Sequence, residues 1–237
     1  MARITREKFK TMENVFDNFT LRNIFKLQSQ GFFEELESPI SIGKEANIFT
    51  ALKKDGSRVI LKIYRLETCD FNKMYDYIKM DTRYIGMKKG RRDVIFSWAQ
   101  REFRNLQKAR DAGIKVPTVY NCYHNILVME FIGDDQPAPK IKDSVPSKKT
   151  DIKKFYESVV KYMKKYHKAK MVHGDLSEFN ILNLNDKPVF IDMSQASPLD
   201  SSNAKELLER DCKNIARFFT KAGLDVEKDE LLAQIIK

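Results

Sequence analysis

Three cysteines are all this chain has, and Cys69, Cys122 and Cys212 lie far apart with no Cys-x-x-Cys pair among them. That spacing argues against a disulfide framework and against a thiolate zinc site, and scattered thiols suit a reducing compartment such as the cytoplasm. Long apolar runs are missing too, since none approaches the ~20 residues of a membrane span. Met1 to Lys10 is charged with no apolar segment behind it, so no secretory leader is expected there. Internal repeats and low-complexity tracts are absent, which removes solenoids and flexible arrays. The expectation is a soluble cytoplasmic protein with no membrane partner. At 237 residues it can form one large domain or two small lobes around a real core.

Acidic residues are outnumbered, 33 Asp and Glu against 43 Lys and Arg, for a formal net charge of +10. The excess is local. Lys148 to Lys170 holds nine lysines and two acids, and Arg83 to Arg92 adds five basic residues. Solvated helix faces would account for this, and so would contact with RNA or a ribonucleoprotein, because basic surfaces attract phosphate backbones. The basic–aromatic interleaving of an RNA-binding sheet is not there.

Apolar periodicity divides the chain. Phe9, Met12, Phe16 and Phe19 suggest one helix, and Thr20 is placed to cap another carrying Leu21, Ile24, Phe25 and Leu27 up to Gly31. From Pro39 the pattern is β-like. Ala46 to Leu52 and Arg58 to Tyr64 read as strands joined at Asp55-Gly56, a hairpin signal. Residues 66 to 94 are polar and poorly periodic, the pattern of a long mobile or partly disordered loop. Ile95, Trp98, Ala99, Glu102, Leu106 and Ala109 share one side of a helix ending near Gly113. Val116-Pro117 opens a further strand, and Ile126 to Phe131 is a buried one. Gly133 to Pro139 has linker composition. Beyond it lie an amphipathic helix from Asp151 to Lys168 and helices near Ala204 to Ala222 and Val226 to Lys237. The reading is a β-rich N-terminal lobe over 1–130, a hinge over 131–139 and a mainly helical lobe over 140–237.

The most informative stretch is Met171-Val-His-Gly-Asp-Leu-Ser-Glu-Phe-Asn-Ile-Leu182, with Ile191-Asp-Met-Ser-Gln195 just after it. Asp175 stands five residues before Asn180, and Asp192 follows twelve later on a short apolar stretch. Phosphoryl transfer from ATP needs that set. One carboxylate takes the proton of the attacking hydroxyl, while an amide oxygen and a second carboxylate hold Mg²⁺, or Mn²⁺ in its stead, against the phosphates.

Partners for this set lie upstream. Lys62 sits inside the apolar run Val59-Ile-Leu-Lys-Ile63, where an unpaired ammonium would be costly. It suits the α/β-phosphates of ATP, with Glu102 as its helix-borne counter-charge. Ser41-Ile-Gly-Lys-Glu-Ala-Asn-Ile48 lies where a phosphate-covering loop belongs. Ser41, Gly43 and Ala46 are small enough for close backbone approach, and Lys44 brings positive charge.

Taken together, these segments resemble the RIO family of atypical serine/threonine protein kinases, most closely its first, Rio1-like, subgroup. The carrying residues are Ser41 to Phe49, Trp98 to Leu106, Val128-Met-Glu-Phe-Ile-Gly133, His173 to Asn180 and Ile191 to Gln195. The resemblance implies an α+β, bilobal protein-kinase-like fold, with extra N-terminal helices before a β-rich N-lobe and a truncated, mainly helical C-lobe. It implies Asp175 as catalytic base, Asn180 and Asp192 as Mg²⁺ ligands, Lys62 on phosphate and Glu102 orienting it. Adenine would meet the backbone of Glu130 and Ile132, with Met129 as gatekeeper. Asp192 would itself become phosphorylated, giving an enzyme that is both kinase and ATPase. The pre-ribosomal small subunit and its RNA would be the partner. Several features depart from ordinary protein kinases. Gly174 replaces the arginine before the base, Ser177 replaces a lysine, no Ala-Pro-Glu occurs, and the stretch after Asp192 is short for a full peptide-binding half. An ATP-driven ribonucleoprotein assembly switch therefore stays open beside the protein kinase. So does a small-molecule kinase, because choline and aminoglycoside kinases share the His-Gly-Asp-x-x-x-x-Asn run.

Overall fold

The computed structural model describes residues 16–237. They form two compact units. The first runs through Met74 and adds Lys89–Phe103 and Val119–Phe131; the second takes Tyr75–Lys88, Arg104–Thr118 and Ile132–Lys237.

The first unit is built on an antiparallel sheet of five strands in the order β1-β2-β3-β5-β4. These are β1 (Glu35–Ile42), β2 (Ala46–Leu52), β3 (Arg58–Tyr64), β4 (Val119–Tyr123) and β5 (Ile126–Glu130). Side chains alternate across a strand, and the ladder uses that alternation. Phe49 and Ala51 of β2, with Val59, Leu61 and Ile63 of β3, join the core that also contains Leu21, Ile24 and Leu27 of helix α1 (Asn18–Ser29). Lys62 and Tyr64 therefore leave β3 on the opposite face. β3 lies in the middle of the sheet, paired on both sides, so Lys62 is not on an edge strand.

Several expectations need correcting. Asp17 rather than Thr20 caps α1: its carboxylate accepts from the Thr20 amide at 2.9 Å and the Thr20 hydroxyl at 2.8 Å, so Thr20 lies inside the first turn. Phe9 and Met12 fall outside the described residues. Phe19 belongs to α1, and Phe16 packs its ring 5.1 Å from Phe49. β1 starts at Glu35, so Ser41 to Ile48 is no loop between strands but the end of one strand, a tight turn and the start of the next. Residues 66 to 94 hold helix α2 (Phe71–Met80) and a short 3-10 turn, Thr82–Tyr84. Phe71, Met74, Tyr75 and Ile78 stand at helical spacing along it, a signal present in the sequence but outweighed by the polar residues on either side. β4 begins after Pro117, which has no N–H to donate to a ladder.

Helix α3 (Arg91–Asp111) follows the expected stripe, with Ile95, Trp98, Ala99, Glu102, Leu106 and Ala109 all buried. The second unit consists mainly of α4 (Lys149–Lys168), α5 (Ala204–Lys221) and α6 (Lys228–Ile236). Two small ladders accompany them: β6 (Met171–Val172) with β9 (Ser197–Pro198), and β7 (Ile181–Leu184) with β8 (Lys187–Phe190). The β7–β8 hairpin turns at Asn185 and Asp186, both at positive φ. That is the geometry a two-residue hairpin loop requires.

Candidate active site

Within the first unit, Lys62 and Glu102 form a buried ion pair. The ammonium lies 2.8 Å from Glu102 Oε1, with 7% and 1% side-chain exposure. The Tyr64 hydroxyl donates to the other oxygen, Oε2, and Lys62 Nζ stands 5.3 Å from the Tyr64 ring centroid. One carboxylate thus serves two donors from alternate positions of β3. At the end of the same sheet, the Ser41–Ile48 turn closes with Gly43 N donating to Ala46 O at 3.1 Å. A Cβ on Gly43 would stand 2.9 Å from that oxygen, so the turn has room for glycine alone. Arg65 N donates to Glu45 O at 3.0 Å, bracing the turn, while Ser41 and Lys44 are exposed. Met129 is buried on β5 opposite Ile60, and Glu130 pairs with Val59. Ile132 opens the second unit, and its carbonyl accepts from Ala138 N at 2.9 Å, closing a turn through Gly133.

Within the second unit, the β7–β8 ladder ends at Ile181 opposite Phe190 and is extended by Ile191 N donating to Asn180 O at 3.0 Å. Asn180 and Asp192 therefore leave the same end of one hairpin. Asn180 Nδ2 donates to the Asp175 backbone carbonyl at 2.8 Å and to its carboxylate at 3.1 Å. Both bonds use the amide nitrogen, which turns Asn180 Oδ1 away from Asp175. Asp192 holds φ 58° and ψ 65°, an αL conformation that Asp tolerates better than bulkier residues. Its carboxylate accepts from Ser194 Oγ at 2.8 Å. Asp175, Asn180 and Asp192 are each half-buried, so solvent and ligands reach them. Two carboxylates and one amide oxygen are hard donors of the kind Mg²⁺ takes alongside phosphate oxygens, so the donor set fits that ion.

A RIO domain family model matches residues 47–231. The chain is 41% identical over 229 residues to the RIO-type serine/threonine-protein kinase Rio1 of Haloferax volcanii, covering 95% of this chain and 77% of that protein. It is 40% identical over 231 residues to the Rio1 kinase of Methanocaldococcus jannaschii, covering 97% and 78%. The chain belongs to the RIO kinases. Within them it stands on the Rio1-like branch, and its enzymatic class is that of a serine/threonine phosphotransferase. That membership decides against a choline- or aminoglycoside-type kinase. Human serine/threonine-protein kinase RIO1 is 36% identical over 220 residues, matching 91% of this chain but 39% of the human protein. In fold the chain is like the Rio2 kinase of Chaetomium thermophilum in its ADP/Mg²⁺-phosphoaspartate complex. That likeness has a TM-score of 0.67 at 21% identity, over 91% of this chain and 66% of that one.

Other residues of this RIO chain position Asp175 and Asp192. Asp211 of α5 is fully buried and accepts from Gly174 N and Leu176 N, each at 2.8 Å, on either side of Asp175. Burial pushes its carboxyl up to about 7, outweighing the two N–H bonds that favour the charged form. Arg210 donates to Gly174 O and, at 3.2 Å, to Gln195 Oε1. Gly174 has φ +79°, and a Cβ there would stand 2.9 Å from Gln195 O, so the position before Asp175 has no room for an arginine side chain. His173 is buried. One ring nitrogen lies 3.1 Å from Ile191 O, and burial holds its pKa down at about 4, so it stays neutral as a brace. On α3, Asn105 Nδ2 donates to Met193 O and Ala196 O, both at 2.8 Å, fixing the turn after Asp192. Arg83, itself held by Asp81, donates to Asn105 Oδ1 at 2.9 Å. His173 and Gly174 lie in the motif run itself, and His173 was expected to brace that loop; Asp211, Arg210, Asn105, Arg83 and Asp81 did not stand out in the sequence. The one available signal was the placing of Asp211 and Asn105 on the apolar stripes of their helices, where an unpaired polar group would be costly.

Glu102→Ala is expected to lower stability by about 3–5 kcal/mol, because it strands the Lys62 ammonium in a buried site. Replacing both members with apolar residues and removing the Tyr64 hydroxyl that would lose its acceptor, Lys62→Met and Glu102→Leu with Tyr64→Phe, should restore most of that loss. Urea denaturation of the three proteins checks it, and a triple variant as unstable as the single one would count against the stranded charge as the cause.

Proposed function

We propose that this chain is an ATP- and Mg²⁺-dependent serine/threonine protein kinase with ATPase activity, acting in the cytoplasm on the maturing small ribosomal subunit. What supports the reading most is the hairpin end that carries Asn180 and Asp192 together, with Asp175 tied to Asn180 by two hydrogen bonds. Asp192 and Asn180 Oδ1 would hold the metal. Bound there, Mg²⁺ supplies charge neutralisation along the phosphates as the terminal phosphoryl group moves. Asp175 accepts the proton of the attacking hydroxyl. Lys62, fixed by Glu102, neutralises phosphate charge, the Ser41–Ile48 turn covers the phosphates with Lys44, and Glu130 and Ile132 offer backbone groups to adenine beside Met129. Most of the acceleration comes from positioning and preorganised charge, since phosphoryl transfer asks for little covalent help.

Asp192 has a second role in this reading. A carboxylate oxygen attacks the γ-phosphorus, ADP departs with the bridging oxygen, and water later hydrolyses the acyl phosphate to return Asp192 and release inorganic phosphate. A solved Rio2 kinase contains a phosphoaspartate, which motivates the step here. The basic surface of the chain, at a net charge of +10, supports a ribonucleoprotein partner.

The deciding experiment incubates purified protein with labelled ATP and maps phosphate by mass spectrometry before and after hydroxylamine. Hydroxylamine-labile phosphate on Asp192 together with ATP turnover supports the aspartyl-phosphate route. Turnover with label only on serine favours a plain kinase, and no ATP turnover overturns the reading.

A further inference from the structure

Helix α4 carries its lysines on one side. At about 100° per residue, Lys153, Lys154, Lys161, Lys164, Lys165 and Lys168 fall within an arc of about 120°. The opposite side buries Ile152, Phe155, Val159 and Met163. Glu157 is the single acid on the basic arc. Between this face and Gln234 of α6 runs a groove of about 540 Å³, lined by Lys161, Lys164, Lys165 and Lys168 together with Tyr156, Val160 and the acid Glu157. Lys165 donates to Gly113 O at 2.7 Å, and Lys154 meets Asp151 at 3.7 Å. Among the described residues, Lys161, Lys164 and Lys168 form no ion pair. Like charges three and four residues apart work against a helix, and Glu157, four residues before Lys161, is the one acid set against them on this arc.

We propose that this groove binds the phosphate backbone of single-stranded nucleic acid, with RNA as its partner. Lys161 to Lys168 covers about 10 Å of helix axis, and the reach of their flexible stems lets these lysines meet successive phosphates of an extended strand. The face holds lysine and no arginine. Lysine binds phosphate as a point charge on a flexible stem, so the row can follow a backbone without fixing its register. The half-buried Tyr156 and the buried Val160 give a base an apolar surface beside the charged row, the combination that single-strand grooves use. None of these residues belongs to the hairpin or the Lys62–Glu102 pair, so binding here leaves the phosphotransfer residues untouched. The inference rests on the ribonucleoprotein part of the function proposed above.

The test is fluorescence anisotropy of a short labelled oligouridylate with the full chain, titrated with salt. Three or four lysine–phosphate contacts give a slope of log affinity against log salt of about −2 to −3. The variant Lys161→Gln, Lys164→Gln, Lys168→Gln should lose about two units of that slope and at least about tenfold in low-salt affinity, with ATP turnover unchanged. A control of equal charge change, Lys53→Gln, Lys54→Gln, Lys79→Gln, should leave binding within about twofold. Equal losses in both variants would mean diffuse attraction, sinking the groove while sparing the wider RNA reading. No binding by the wild-type chain, with ATP turnover intact, would sink both of those and leave the kinase. Oligothymidylate should bind comparably, since the contact is to phosphate. Tighter binding of a polyaspartate peptide than of either oligonucleotide would overturn the proposal in favour of an acidic protein partner.

Discussion

Asp175→Ala should lower phosphoryl transfer by about 10³-fold, the usual worth of a positioned general base, while nucleotide affinity changes little. The geometry separates the two effects. Asn180 is held by two bonds to Asp175, and the 2.8 Å bond to the backbone carbonyl survives the substitution. The 3.1 Å bond to the carboxylate is lost, so Asn180 keeps one anchor and its oxygen keeps its direction. Ile191 N still donates to Asn180 O, and Ser194 still holds the Asp192 carboxylate, so the hairpin end is not rebuilt. Isothermal titration with ADP and Mg²⁺ should therefore report a dissociation constant close to that of the wild type. Rapid-quench measurement of the transfer step should show the loss. Turnover at the wild-type rate would remove Asp175 from the role of base. A matching collapse of nucleotide affinity would instead mean that Asp175 organises the metal site.

What could be read from the sequence divides by how local the cause is. The α3 stripe was legible because a 3.6-residue period repeats over about four turns, and every residue picked from it is buried. Lys62 and Glu102 were legible for a related reason: each is a charged residue on an apolar face, and such charges need partners. Helix α2 was not read, although Phe71, Met74, Tyr75 and Ile78 stand at helical spacing. It is only ten residues long and set in a polar stretch, so a pattern repeated over less than about three turns was passed over. The cap of α1 was misplaced by three residues because Asp17 and Thr20 are both good caps, and only the backbone decides which one accepts. The residues that hold the motif in place are a different matter. Asn105 lies 88 positions from Met193, and Asp211 lies 37 from Gly174. A single sequence contains no signal that pairs residues so far apart, whereas Asp175, Asn180 and Asp192 announce themselves by spacing alone.

Asp211→Asn is expected to cost about 1–3 kcal/mol and to lower turnover by about 10²-fold through misplacement of the loop around Asp175. The carboxylate offers one oxygen to Gly174 N and the other to Leu176 N. An amide has only one oxygen, so one buried N–H loses its acceptor and faces an NH₂ group instead. The same variant should expose a second effect, in the dependence of stability on pH. The folded Asp211 carboxyl titrates at about 7, well above an unfolded aspartate, so between about 4 and 7 the fold keeps a proton that the unfolded chain has released. That contribution is fully present below the unfolded value and is lost as pH rises through the folded one, at roughly 1.4 kcal/mol per unit. His173 does the reverse. Buried and neutral down to about 4, it contributes stability above its unfolded value of about 6.5, which is lost as pH falls toward the folded one. Over about pH 4.5 to 6.5 the two slopes oppose each other, and their sum is nearly level. With Asp211 replaced by Asn, the His173 slope stands alone, and stability should climb with pH across that window by roughly 1.4 kcal/mol per unit. Urea midpoints taken at three pH values in wild type and Asp211→Asn measure the difference. Parallel lines for the two proteins would mean that Asp211 is ionised in the fold throughout, with its two N–H donors outweighing the burial.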